Sequence, residues 1–258
     1  MDARAAFGLM QRSMRATAEL AARGAPDSWT LKADGVTAAV TPAAPDRSVL
    51  NGVVVEDFAK LARLLDGLAG LYADAGVRAW TVWVPEHEQA ARELLMDEGH
   101  VLDATPAAML LDLHELAEPP GPEPEWSGVW DIEAAGCIND AAYGDPPGLF
   151  ARALGDLQPD SGHMYLARVD GKPASFVVVH DHEDNCEFWI AATIPEARGR
   201  GLVSSLLHRA LLDARDRGCR TSTTQATKMG EPVYARLGYR KFGTIEMWER
   251  REPAARSR

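Results

Sequence analysis

The chain has 258 residues, 46% of them hydrophobic and 25% charged, with a net charge of −11. That length and mix describe one large or two ordinary globular domains. The acidity of both halves argues against a nucleic-acid binder, and no run approaches the roughly 18 apolar residues of a membrane span.

Residues 2–23 have a helical pattern, stopped by Gly24 and Pro26. Acids and arginines there leave no apolar core for a secretory signal. Three cysteines (Cys137, Cys186 and Cys219) without CxxC spacing speak against a disulfide framework or a zinc site and fit a reducing cytoplasm. "SWTLKADGVTAAVTP" is a predicted hairpin turning at Asp34-Gly35, and "SVLNGVVV" a strand. A long helix runs from Asp57 to Ala75 and closes at Gly76. "RAWTVWV" (Arg78–Val84) is a strand, "EHEQAARELLMDEG" a helix and "AAMLLDL" a last strand. Trp80 and Trp83 fall on opposite faces of their strand, one toward a core and the other toward a partner domain.

"AEPPGPEPEWSG" (Ala117–Gly128) is dense in proline and reads as an extended linker. Residues 1–117 and 128–258 are therefore the expected domains, joined by 118–127. After the linker, "GVWDIEAA" is predicted as a strand, and Gly136–Leu157 as one or two helices broken at Pro146-Pro147. "HMYLARVDGKPASFVVVHDHEDNCEFWIAA" holds three strands turning near Gly171 and Asp184. Gly201–Arg217 is a helix closed by Gly218, and a strand, a short helix and a strand follow ("RTSTTQA", "EPVYARLG", "KFGTIEMWE").

The halves repeat one α/β (α+β) plan: antiparallel meander, long helix, strand, helix, strand. Gly76 and Gly218 close corresponding helices, and Gly99 and Gly238 close the next pair. At one point the copies diverge. "PEARGRGLVSSLL" (Pro195–Leu207) sets Arg198, Gly199, Arg200 and Gly201 before a helix, where the first copy has Glu56, Asp57, Phe58 and Ala59. A helix N-terminus presents unpaired N–H groups and partial positive charge, and glycines let an anion approach the backbone. Arg198 to Ser204 thus reads as a pyrophosphate cradle. It lacks the Gly-Lys-Ser/Thr of a P-loop, and Ser204 spoils a dinucleotide fingerprint.

"FWIAATIPEARGRGLVSSLLHRAL" with "EPVYARLGYRKFG" resembles the GNAT acyltransferase superfamily: Arg198, Gly201, Tyr234, Gly238 and Tyr239 fill its motif positions, and Val203 departs from its final small residue. The resemblance covers about residues 128–250; the first half resembles a degenerate copy. It implies two tandem mixed, mostly antiparallel sheets flanked by helices, with acetyl-CoA or another acyl-CoA as cofactor. The pyrophosphate would rest on the amides of Gly199, Arg200, Gly201, Leu202, Val203 and Ser204. Backbone groups of Ala191 and Thr193 would bond the pantetheine arm by strand addition. Transfer to a primary amine then needs a base and an acid for the leaving thiolate. Tyr234 occupies the family's acid position. Glu187, on the strand face expected to hold Trp189, Ala191 and Thr193, is the candidate base, with His163, His180 and His182 as rivals.

"INDAAYG" (Ile138–Gly144) brings Asn139, Asp140 and Tyr143 to the expected acceptor cleft, and Trp189, on the face of Glu187 and Ala191, is expected to wall the acyl pocket. "HDHED" (His180–Asp184) is a solvated hairpin tip, and no metal is assigned. The expected partner is a small-molecule or peptide amine, with self-association as a homodimer left open. The alternative to an enzyme is an inert acyl-CoA sensor. Glu56, Asp57 and Leu95 (in the place of Tyr234) disfavour a second active site.

Overall fold

In the computed structural model, residues 1–33, 35–119, 121 and 123–251 are described. Asp34 of the predicted first turn, and Pro120 and Pro122 of the linker, lie outside them. The first half runs α1 (Ala3–Ala21), β1 (Trp29–Ala33), β2 (Val36–Val40), β3 (Gly52–Val55), α2 (Leu61–Asp74), β4 (Ala79–Pro85), α3 (Gln89–Asp97), β5 (Val101–Ala104) and β6 (Ala107–Asp112). The second runs β7 (Trp126–Ser127), α4 (Ile132–Tyr143), α5 (Leu149–Leu154), β8 (His163–Val169), β9 (Lys172–His182), β10 (Asn185–Thr193), α6 (Leu202–Asp216), β11 (Thr221–Ala226), α7 (Glu231–Arg236) and β12 (Arg240–Arg251). Among the described residues, no helix is long and apolar enough to cross a membrane.

Three local readings change. "GVWDIEAA" is not a strand: Asp131 accepts the Ala134 N–H at 3.0 Å, and this N-cap starts α4 at Ile132. In "SVLNGVVV" a 3₁₀ turn over Ser48–Leu50 precedes the strand, because the Asn51 side chain is spent on the Thr41 N–H and the Ala44 and Arg47 carbonyls. Strand β5 was not anticipated; three of its four residues are exposed, so no core alternation betrays it.

The two halves share one twelve-stranded sheet in the order β1-β2-β3-β4-β12-β6-β11-β10-β9-β8-β7, with β5 on the side of β12. They join by exchanging strands. β6, from the first half, lies antiparallel between β11 and the start of β12. The rest of β12, Ile245–Arg251, leaves the second half and pairs with β4. The register shift between Lys241 and Gly243 accompanies the crossing.

Helix α1 covers this seam. Asp2 caps it through the Ala5 N–H at 2.8 Å. Its apolar stripe of Phe7, Met10 and Met14 packs on Val54 and Trp83 of the first half, on β6 at Ala108, and on the exchanged Ile245 and Met247. Each such side chain contributes about 1.5–3 kcal/mol on burial. Separate cores lie under α2, under α6 and under α4 and α5. Trp80 enters the α2 core, stacked on Tyr72, whereas Trp83 faces α1.

Candidate active site

Strands β10 and β11 run parallel, yet they pair only from Asn185–Glu187 to Thr221–Thr223. Beyond that β10 follows β9 as far as Thr193, and β11 follows β6 as far as Ala226. A wedge opens between them, leaving the β10 backbone from Ile190 onward without a strand partner on that side among the described residues. The Tyr143 hydroxyl reaches into this gap and donates to the Ala191 carbonyl at 3.2 Å. Thr193 is tied differently: its Oγ1 lies 2.8 Å from Ser175 Oγ.

A bulge between Phe188 and Ile190 resets the alternation of β10. Glu187 and Trp189 keep the face turned to α1 and α4, and Ile190 joins them there. Ala191 turns with Phe188 toward α6. The expected single face of Glu187, Trp189, Ala191 and Thr193 is thus broken at Trp189, because an inserted residue shifts every later side chain to the opposite side.

The loop before α6 has Gly199 at φ +77° and Gly201 at φ +76°, conformations that L side chains adopt only with strain. Gly201 is the N-cap of α6 and supplies no side-chain acceptor. Among the described residues, no protein acceptor takes the amides of Gly199 to Ser204. A Cβ at Gly199 would meet nothing within 4 Å. Val203 turns its side chain into the α6 core, which keeps its amide free. The two arginines part company. Arg198 braces the loop, donating to the Ala142 carbonyl at 2.7 Å and the Thr193 carbonyl at 3.4 Å. Arg200 is exposed.

In the first half the corresponding turn serves itself. Asp57 accepts the Ala59 N–H at 3.2 Å, which occupies a donor an anion would need. Glu56 pairs with Arg15 of α1, and Gln11 of α1 donates to the Val55 carbonyl at 2.7 Å.

A cavity of about 350 Å³ lies on the α1 side of the sheet, walled by both halves. Glu187, Tyr234, Asn139, Tyr143, Trp189 and Ala191 all line it; His163, His180 and His182 do not. Glu187 is 1% exposed. Its Oε1 accepts from Gln225 Nε2 at 3.2 Å and its Oε2 from Thr17 Oγ1 at 3.3 Å. Burial pushes its carboxyl up to about 8, against which these two donors pull down. The group therefore holds a proton through much of the neutral range and can exchange it near pH 8.

The ring of Tyr234 meets Phe188 edge-on at 4.9 Å. It also lies over the backbone of Gly230, where a Cβ would stand 2.6 Å from the ring and 2.9 Å from the hydroxyl, so the phenol's position depends on that glycine. Burial raises the Tyr234 phenol above its ordinary value, which keeps the hydroxyl a donor. Asn139 is buried, and its carboxamide has no hydrogen-bond partner among the described residues. Asp140 is otherwise engaged: its two oxygens accept from the Gly148 and Phe150 N–H groups at 2.7 and 3.1 Å, fastening the start of α5. Sequence reasoning missed Thr17 and Gln225, which hold Glu187, and Trp83, Arg47 and Asp145, which line the cavity. No local pattern marks residues brought together from opposite halves.

Residues 132–223 match the family model of an acetyltransferase (GNAT) domain. A GCN5-related N-acetyltransferase from Kribbella flavida superposes with a TM-score of 0.67 at 18% identity, over 99% of this chain and 96% of that one. A GCN5-related N-acetyltransferase from Sphaerobacter thermophilus gives 0.55 at 16%, over 86% and 78%. A tandem GNAT protein from the clavulanic acid biosynthesis pathway gives 0.60 at 16%, over 90% and 85%. No curated protein matches the sequence. Residues 132–223 thus match a GNAT domain, and the fold is similar to those of solved GCN5-related N-acetyltransferases, a tandem GNAT protein among them.

Proposed function

We propose that the protein is an acyl-CoA-dependent N-acyltransferase that moves an acetyl group from acetyl-CoA to a primary amine by direct attack, with one site, in the second half. The observation that carries this reading is the meeting of three features: free amides at the head of α6, the wedge between β10 and β11, and one cavity lined by both Glu187 and Tyr234.

The cradle suits a pyrophosphate. Six consecutive amides from Gly199 to Ser204 have no acceptor among the described residues, and the side chain of Arg200 is exposed beside them. Hydrogen bonds from such groups to a charged partner contribute about 1.5–3 kcal/mol each. Backbone groups of Ala191 and Thr193 would bond the pantetheine arm, and Tyr143 would give up the Ala191 carbonyl to it. Bound there, acyl-CoA supplies an activated thioester.

The chain's own residues supply the proton chemistry. Glu187 takes a proton from the acceptor nitrogen, and Thr17 and Gln225 hold the carboxylate that does so. Tyr234 gives a hydrogen bond or a proton to the departing sulfur. Asn139, Tyr143 and Trp189 border the acceptor. The test is calorimetry with acetyl-CoA, followed by thiol release with an amine library. Micromolar binding with amine-dependent thiol release is expected; no binding of acetyl-CoA or CoA overturns the assignment.

A further inference from the structure

The cavity has few charges, and they cancel. Among the described residues, its ionisable acidic and basic lining consists of Arg47, Asp145 and Glu187. Arg47, from the first half, stands 2.8 Å from Asp145 of the second, where the Asp145 side chain is 8% exposed. The contact is a charge pair rather than an aligned hydrogen bond, since no donor among the described residues is aligned on Asp145 Oδ2. Glu187 is buried and held by two neutral donors. One guanidinium thus faces one carboxylate, and a single further carboxyl waits for a proton. A ligand with several ammonium groups would find no set of acids to meet it, and unpaired charge in such a place is costly.

The remaining surface is largely apolar and comes from both halves. Met14, Leu50 and Trp83 belong to the first, Phe150 and Trp189 to the second, and Met247 to the exchanged strand. At about 350 Å³ the space lies at the small end of ligand pockets, roughly 300–1,000 Å³.

We propose that the acceptor is a small primary monoamine with an aryl or alkyl body, and that the first half serves as the apolar wall that selects it. This rests on the transferase reading above and adds the acceptor class. The one amine matches the one free carboxyl; the body matches the two tryptophans and their aliphatic neighbours.

The test compares phenethylamine and tryptamine with spermidine and kanamycin, using the full chain and acetyl-CoA. The arylalkylamines are expected to show at least tenfold higher kcat/KM. Trp83→Leu should raise KM for phenethylamine tenfold or more while the Kd for acetyl-CoA stays within twofold. Val49 lines the same cavity and is 51% exposed, so Val49→Glu spares the fold. It should raise the phenethylamine KM about fivefold and narrow the preference over spermidine. Preference for spermidine or kanamycin, or unchanged KM in both variants, overturns the acceptor class and leaves the transferase standing. Failure to bind acetyl-CoA overturns the transferase reading, and the acceptor class with it.

Discussion

Glu187→Gln tests the proposed proton acceptor with almost no change in shape. The buried carboxyl titrates near 8 against an ordinary 4.5. If it must be ionised to accept a proton, kcat/KM corrected for the fraction of acceptor present as free amine rises with pH through about 8 and then levels. At pH 6 roughly one molecule in a hundred carries the carboxylate, so the rate lies about a hundredfold below the plateau. The glutamine variant should lose about 10²–10⁴-fold at the plateau, the usual contribution of a positioned base. It should also lose the inflection near 8, keeping, before that correction, only the slope from the acceptor's own ammonium. Stability moves in the opposite sense. The folded-state value is raised, so this group's contribution is fully present below about 4.5 and is lost as pH rises through about 8, roughly 5 kcal/mol across the window. Denaturation of the parent and the variant from pH 5 to 9 should show the parent weakening relative to Glu187→Gln. The assay is thiol release at saturating acetyl-CoA from pH 6 to 10, with denaturant midpoints alongside. A profile with the same inflection in both proteins, or a variant within threefold of the parent, would refute the assignment of Glu187.

Calorimetric titration should give one acyl-CoA per chain, because Asp57 already caps its own turn and Glu56 adds a second carboxylate beside it; two equivalent sites would contradict this. Gly201→Glu forces a side chain into a left-handed residue at φ +76° and sets a negative charge at the mouth of α6. CoA affinity should fall at least a hundredfold by the same titration, with the circular dichroism of the parent retained. Tyr234→Phe keeps the 4.9 Å edge contact with Phe188 and removes only the hydroxyl. Single-turnover rates should drop about 10²-fold, at the low end for a general acid because thiolates leave readily, while acetyl-CoA affinity holds; a rate within twofold of the parent removes Tyr234 from the chemistry.

Much of this architecture is legible in the sequence. Gly76 and Gly218, and Gly99 and Gly238, close helices in left-handed conformations, and a glycine there is a local requirement that shows in the chain. The pair of glycines before α6 is legible for the same reason. The wedge is not, since it depends on which strands β10 and β11 follow once they part. Nor is the bulge at Trp189, which an alternating pattern conceals. The strand exchange is invisible for a related cause: the apolar residues of β6 fit any covered sheet, and nothing in "AAMLLDL" names β11 as its neighbour. Glu187 stands out as a lone carboxylate in an apolar strand, but its Thr17 partner lies 170 residues away.

The exchange also explains why the first half is needed although its turn at Asp57 caps itself. β6 sits directly beside β11, one wall of the wedge, and holds it from Thr221↔Asp112 to Ala226↔Ala107. Its Met109 and Leu111, with Leu113 just beyond, are buried in the core under α6, the helix that bears the cradle. At about 1.5–3 kcal/mol each, these three side chains weigh against a whole-domain stability of 5–15 kcal/mol. Removing β6 would bare the edges of β11 and β12 at the site itself. Substitutions at Glu56 and Asp57 touch neither that strand nor the cavity wall at Trp83. The turn of the first half is therefore free to differ while its sheet is not, and a half without the proposed cradle still holds up one wall of the other half's wedge.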